Sequence, residues 1–365
     1  MRVAHANLSL LRAAAAAVTF ALAPAAPVHA QYATLYGRIN LDLEWIDARG
    51  PEGSPPGGPR LSSNSSRIGF RGAEPLGGGL VAIWQIESGI QADAGGGQLA
   101  SRETYLGIDA DWGTVKAGYF LAPYDDLHPI FGNVPTLTTS ILSTAAIWSQ
   151  GSLSKSAGGF DARLPNSIRY DMPEYRGLEA SIQYSLTEDE RNSSVVSMAA
   201  IYNHGPFDAG IGYERNFEVR GDGLDDWALT ATAAWNFGSF RVAGIYERLR
   251  YETTVGPLSR DFYGASMTVL MGAGSLYAFY GHARDGRADA DVRVGGLTSG
   301  PDSDASQYTL SYTYPLSQRT LVYAGFVRVA NAAFASYNFA VNPYTAAPQT
   351  GIRLNGYVLG AVHFF

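Results

Sequence analysis

Along much of this chain apolar and polar residues alternate one by one. Across residues 35–45 the odd positions are Leu35, Gly37, Ile39, Leu41, Leu43 and Trp45, and the even ones Tyr36, Arg38, Asn40, Asp42 and Glu44. A period of two describes an extended strand with one oily and one polar face. The pattern returns at 178–186, where Leu178, Ala180, Ile182, Tyr184 and Leu186 interleave with Glu179, Ser181, Gln183 and Ser185. It returns again at 307–314, with Tyr308, Leu310, Tyr312 and Tyr314 against Gln307, Thr309, Ser311 and Thr313. Connectors alternate too. Tight turns fall at 76–79, 203–206, 237–239, 271–274 and 315–319, and long stretches at 47–60, 120–162, 216–226, 285–304 and 331–351. A meander of hairpins follows, with short turns at one end and long loops at the other. At roughly 20 residues per strand with its share of connectors, the chain makes about 16 strands.

Alternation alone does not say which face meets water. A soluble sandwich hides its apolar faces in a core, whereas a wide barrel in a bilayer turns them to lipid and keeps a polar lumen. Three features favour the transmembrane antiparallel β-barrel over a secreted β-sandwich. Trp45, Tyr184, Tyr202, Tyr213, Trp235 and Tyr314 gather at strand ends, as an interfacial belt requires. The polar faces mix small and charged side chains. The chain also closes on a strand, 356–365, whose outer face carries Tyr357, Leu359, Ala361, His363 and Phe365. Phe365 is therefore read as a C-terminal assembly signal for the barrel assembly machinery.

Composition sharpens this reading. Only 16% of the 365 residues are charged, thin for a soluble surface, and there is no cysteine, which excludes disulfides and thiolate chemistry. Arg2 and Arg12 precede the apolar stretch 13–23, and Val28-His29-Ala30 fits a small-x-small cleavage site. Residues 1–30 read as a secretory signal peptide and residues 31–365 as the barrel domain. No other apolar run reaches about 18 residues, so membrane helices are excluded. Without Arg2 and Arg12, 24 basic and 33 acidic residues give a net charge of −9, which argues against nucleic acid as a partner.

Several stretches then resemble the general porins of Gram-negative outer membranes, in the form typical of β-proteobacteria. They include Thr34-Leu35-Tyr36-Gly37-Arg38, Ser66-Arg67-Ile68-Gly69-Phe70-Arg71-Gly72 and Ala82-Ile83-Trp84-Gln85-Ile86-Glu87-Ser88-Gly89. Further along come Tyr105-Leu106-Gly107, Asn166-Ser167-Ile168-Arg169-Tyr170 and the closing Val362-His363-Phe364-Phe365. The resemblance implies a homotrimeric 16-stranded barrel in the cell outer membrane, with short periplasmic turns and long external loops. The third loop folds into the lumen, and small hydrophilic solutes and ions diffuse passively through the pore. Lipopolysaccharide and outer-membrane lipid are the implied surroundings, and no cofactor or enzymatic activity is implied.

Strand alternation turns Arg38, Arg67, Arg71, Arg163 and Arg169 to the lumen, and Arg102 with them if Tyr105 faces out. The resemblance matches Arg38, Arg67, Arg102 and Arg163 to a basic ladder opposite the third loop, and Arg169 is placed with them. Guanidinium suits such a ladder because it stays charged and is weakly hydrated. The alternative is a general arginine bias, since the mature chain holds only two lysines, Lys116 and Lys155. Where enteric relatives carry Pro-Glu-Phe-Gly-Gly at the loop tip, this chain has Pro129-Ile130-Phe131-Gly132-Asn133. Asp125 and Asp126 form the expected acidic side, and no carboxylate follows until Asp161. A basic wall facing a nearly neutral loop leans the channel towards anions. The competing view has those aspartates, with Asp42, Glu44 and Glu87, balance the arginines. The apolar residues Leu137, Ile141, Leu142, Ile147 and Trp148 suggest the alternative of a substrate-selective channel.

Other motifs weigh less. Ser152-Leu153-Ser154-Lys155 lacks the companion motifs of penicillin-binding enzymes. Arg220-Gly221-Asp222 would serve a surface adhesin, and Glu188-Asp189-Glu190-Arg191 would bind divalent cations bridging lipopolysaccharide; chance and a solvated turn are the plainer readings. His128, His204, His282 and His363 show no ligand spacing, and no metal site is expected.

Overall fold

A computed structural model describes residues 33–365 apart from 53, 55, 134, 138, 187–192, 347 and 348. The segment 1–30 and the acidic cluster 188–191 lie outside the described residues. Sixteen long strands follow one another in the described residues: β1 (Thr34–Arg49), β2 (Arg67–Gly77), β3 (Leu80–Ile90) and β4 (Thr104–Ala110). Next come β5 (Gly113–Leu121), β6 (Arg163–Asp171), β7 (Leu178–Leu186) and β8 (Ser194–His204). The second half holds β9 (Phe207–Phe217), β10 (Asp226–Asn236), β11 (Phe240–Tyr251) and β12 (Leu258–Met271), then β13 (Gly274–Ala283), β14 (Ala305–Pro315), β15 (Thr320–Asn331) and β16 (Arg353–Phe364).

Each strand pairs antiparallel with the next, and β16 returns to β1, from Arg38 opposite Phe364 up to Arg49 opposite Arg353. Gly37 and Phe365 exchange backbone hydrogen bonds of 3.0 and 3.1 Å at the seam. The sheet is closed, so no edge is left to pair with another chain. One closed sheet also excludes the sandwich. All five expected turns are present, and residues 111–112 and 172–177 add two that alternation did not mark.

Exposure inverts that of a soluble protein. On β1, Leu35, Ile39, Leu43 and Trp45 are exposed while Arg38, Asn40, Asp42 and Glu44 are buried. Aromatic rings ring the outer wall in two rows. At the turn end Tyr202, Phe207, Trp235, Phe237 and Phe240 run ring to ring, with centroids 4.6–6.4 Å apart. Higher up, Tyr246 pairs with Tyr263, and Tyr280 with Tyr308. Phe240 and Tyr246 share β11, so the rows stand about 20 Å apart along the strand at ~3.3 Å per residue. At the usual tilt of a barrel strand that is about 15 Å along the membrane normal.

The lumen is less uniform than expected. On β10–β16 it carries Ile245, Leu249, Phe262, Phe279, Val327 and Val358, all buried. These meet the loop between β5 and β6.

Candidate functional site

That loop, residues 122–162, leaves the wall at a bulge. The register slips between Gly118 and Phe120, and Gly118 has φ +149°, where a Cβ would sit 2.2 Å from the Thr104 carbonyl oxygen. Opposite it Asn166 also takes a positive φ, 49°. The extra residue lies on β6, where Ser167 to Leu164 spans three residues against two from Gly118 to Phe120. Leu164, which alternation from Arg163 would turn outside, is therefore buried with Ala122, Val195 and Val219.

Within the lumen the loop is held against β1 and β9–β14. Leu127 packs on Gly210 and Gly212 of β9, where added methyl groups would lie 2.5 and 2.8 Å from its side chain. Tyr277 donates to the Phe131 carbonyl at 2.6 Å. Asn40 of β1 donates to the Thr139 carbonyl at 2.7 Å, and Ser140 donates to Asp42 at 2.9 Å. Gln307 donates to the Ser143 carbonyl at 2.7 Å. Trp148 stacks on Tyr124 and donates to Thr230. Glu247 of β11 accepts from Tyr124, from the Ser149 amide and from Arg260 at 2.7, 2.8 and 2.6 Å. Arg260 also donates twice to the Ile147 carbonyl. Lys155 pairs with Glu214 near the loop's end. The apolar residues Ile141, Leu142, Ile147 and Trp148 are fully buried against the wall. These four glue the loop down rather than face solute, and of the five apolar residues that suggested a substrate-selective channel Leu137 lines the open recess.

Among the described residues, the loop flank that faces β2–β6 bounds an open recess. There Arg38, Arg67, Arg102 and Arg163 line a recess of about 220 Å³ with Glu87, Glu103 and Leu121, and Leu137 and Thr139 close it from the loop. Arg102 bonds Glu87 at 2.6 Å, with Arg67 3.3 Å from the same carboxylate, and Arg163 bonds Glu103 at 3.1 Å. Arg38 donates to the Ser65 carbonyl. Four guanidinium groups thus meet two carboxylates, and among the described residues the loop side contributes no charge.

A family model described as Gram-negative porin matches residues 13–333. The chain belongs to the Gram-negative porin family. It therefore forms a passive channel in the outer membrane. Among related proteins, outer membrane porin protein 32 of Delftia acidovorans is 25% identical over 343 residues, covering 91% of this chain and 93% of its own length. The anion-selective porin from Comamonas acidovorans superposes with a TM-score of 0.75 at 22% identity, covering 92% of this chain and all of that one. OmpT of Vibrio cholerae in its trimer form gives 0.69 at 16% identity, covering 92% and 100%.

Not every residue singled out from the sequence reaches the porin's recess. Arg169 stands apart, bonding Asp126 and Asp171, each at 2.6 Å. Asp126 is thus spent on Arg169, and burial pushes its carboxyl up to about 6 against that pull. Asp125 lies beside His128 and Asp161. Burial, then the neighbouring Asp161, raises it well above the usual carboxylate range. Asp42 and Glu44 are locked beneath Ser140, Tyr323 and Arg60. Tyr105, expected outward, turns inward beside Gln85 and Lys116, because Leu106 holds the lipid face at 65% exposure. Arg102 therefore reaches the recess from the loop before β4, not by strand alternation. His128, which showed no ligand spacing in sequence, comes together with Asp125 and Asp161, their ligand atoms within 4.8 Å of one another. Glu103, Glu247 and Arg260 went unnoticed. Their partners are distant in the chain, so no local pattern marked them.

Proposed function

We propose that the porin's constriction is the recess between Arg38, Arg67, Arg102 and Arg163 and the third loop, and that it prefers anions. The carrying observation is the excess of two positive charges there, opposite the uncharged Leu137 and Thr139. Fixed charge in a narrow pore with low-dielectric walls focuses the field, so a small excess sets ion preference. The anion selectivity of the Comamonas acidovorans relative supports the same reading. Reversal potentials across planar bilayers under a potassium chloride gradient test it. The unmodified protein gives an anion-selective potential, and Arg67→Ala with Arg102→Ala moves it towards zero. A cation-selective potential in the unmodified protein rejects the proposal.

The assembly is a homotrimer in this reading. The trimer form of Vibrio cholerae OmpT supports it. So does the exposed apolar hollow on the outer wall lined by Leu43, Trp45, Leu61, Tyr357 and Leu359. The mass of the detergent-extracted protein checks this. Adhesion through Arg220-Gly221-Asp222 fares worse, because Arg220 is bound inside its loop to Asp226 at 2.7 Å and to the Glu252 carbonyl.

A further inference from the structure

We propose that Asp125, His128 and Asp161 bind one divalent transition-metal ion of the manganese or zinc class, clasping the start of the third loop to its end. Asp125 belongs to the 3-10 turn Pro123–Leu127, His128 opens the short helix His128–Phe131, and Asp161 stands just before β6. Their ligand atoms lie within 4.8 Å of one another. Donors at about 2.1 Å from a tetrahedral ion stand ~3.4 Å apart, so side-chain rotation of about 1 Å completes the set. Two carboxylates and one imidazole are a donor mix that such ions accept.

Three further observations point to a cation here. Oδ1 of Asp125 is shut off from solvent and has no hydrogen-bond partner, an acceptor left open in the interior. His128 is 2% exposed and packed between the rings of Phe131 and Trp148, each 5.0 Å away. Its Nε2 is engaged by Thr144 Oγ1, which orients the ring and leaves Nδ1 for a ligand, as outer partners of metal-bound histidines do. Third, the neighbouring cationic side chains are committed elsewhere: Arg163 to Glu103, Arg169 to Asp126 and Asp171, and Lys155 to Glu214. A divalent ion neutralises both carboxylates at once. Gly151 leaves room beside them, since a Cβ there would lie 2.9 Å from Asp161 Oδ2. The plainer alternative is a single proton shared between Asp125 and Asp161.

The test uses the full-length mature porin in detergent, stripped with EDTA, desalted and titrated with Mn²⁺ alone. Electron paramagnetic resonance then shows one bound Mn²⁺ per chain, and its echo modulation shows one nitrogen ligand. His128→Gln abolishes the nitrogen modulation, Asp161→Asn weakens binding at least tenfold, and Thr144→Val weakens it about tenfold. Absence of bound Mn²⁺ in the unmodified protein, with no Zn²⁺ retained in a parallel titration, overturns the proposal in favour of the shared proton. Nitrogen modulation that survives in His128→Gln overturns it too. Should the variants fail to fold, the unmodified spectrum decides alone, since bound Mn²⁺ without a nitrogen ligand is incompatible with the site. Either result leaves the anion preference untouched, because none of the recess arginines is a ligand.

Discussion

The two halves of the lumen wall differ more than the two faces of any strand. Along β2–β6 the wall is charged and wet: arginines and glutamates pair side by side around an open recess. Along β9–β16 apolar and polar side chains mix, with Ile245, Leu249 and Phe262 beside Glu247, Arg260 and Gln307. The third loop lies on them with Leu127, Phe131, Leu142 and Trp148 buried. Where water is shut out, a barrel interior keeps its polar groups paired, as Glu247 is with Arg260. Where a loop fills it, the interior is a protein core and obeys core rules, including close packing. The loop's hydrophobic side thus fixes its place, and its short neutral flank is what remains for solute.

The contrast can be broken most severely at Glu247. Glu247→Ala leaves Arg260 charged in a fully buried site and takes an acceptor from both Tyr124 and the Ser149 amide. Breaking a buried pair costs about 3–5 kcal/mol. The expected outcome is a released loop, with larger and noisier single-channel currents and a lowered urea midpoint. Leu127→Ala opens a cavity over Gly210 and Gly212 but strands no charge. A loss of about 2–5 kcal/mol in urea titrations follows, with little change in ion preference. The smallest effect belongs to Arg169→Ala. Arg169 is tied to Asp126 and Asp171 outside the recess, so the reversal potential stays within error of the unmodified protein. A shift as large as that of the Arg67 and Arg102 variants would show that the charged wall extends below the recess.

Strand positions were legible because period two is local: each residue's face follows from its neighbours, as β1 and β7 illustrate. The glycine-bearing turns at 76–79, 203–206, 237–239 and 271–274 were legible for the same reason, whereas the turn at Asp111-Trp112 has its one glycine, Gly113, already on the following strand. Errors gathered where a bulge interrupts the period. The bulge with its positive φ at Asn166 explains why Leu164 ended up inside. The neighbours of the two loop aspartates were illegible for another reason. Asp125 and Asp126 sit in a loop, where alternation has no force, and their surroundings are set by Asp161 and Arg169.

By itself, then, the sequence determined the class of object: exported, all-β, about sixteen strands, oily outside, with arginines turned inward. These follow from composition and from a two-residue period, which are one-dimensional properties. Only the tertiary structure decided which arginines share a recess, that Glu87 and Glu103 stand among them, and that the loop's apolar residues face the wall. Those outcomes depend on contacts between residues far apart in the chain, as when Glu247 meets Ser149 and Lys155 meets Glu214. Closing the sheet brings such residues together, and no local pattern encodes which of them will meet.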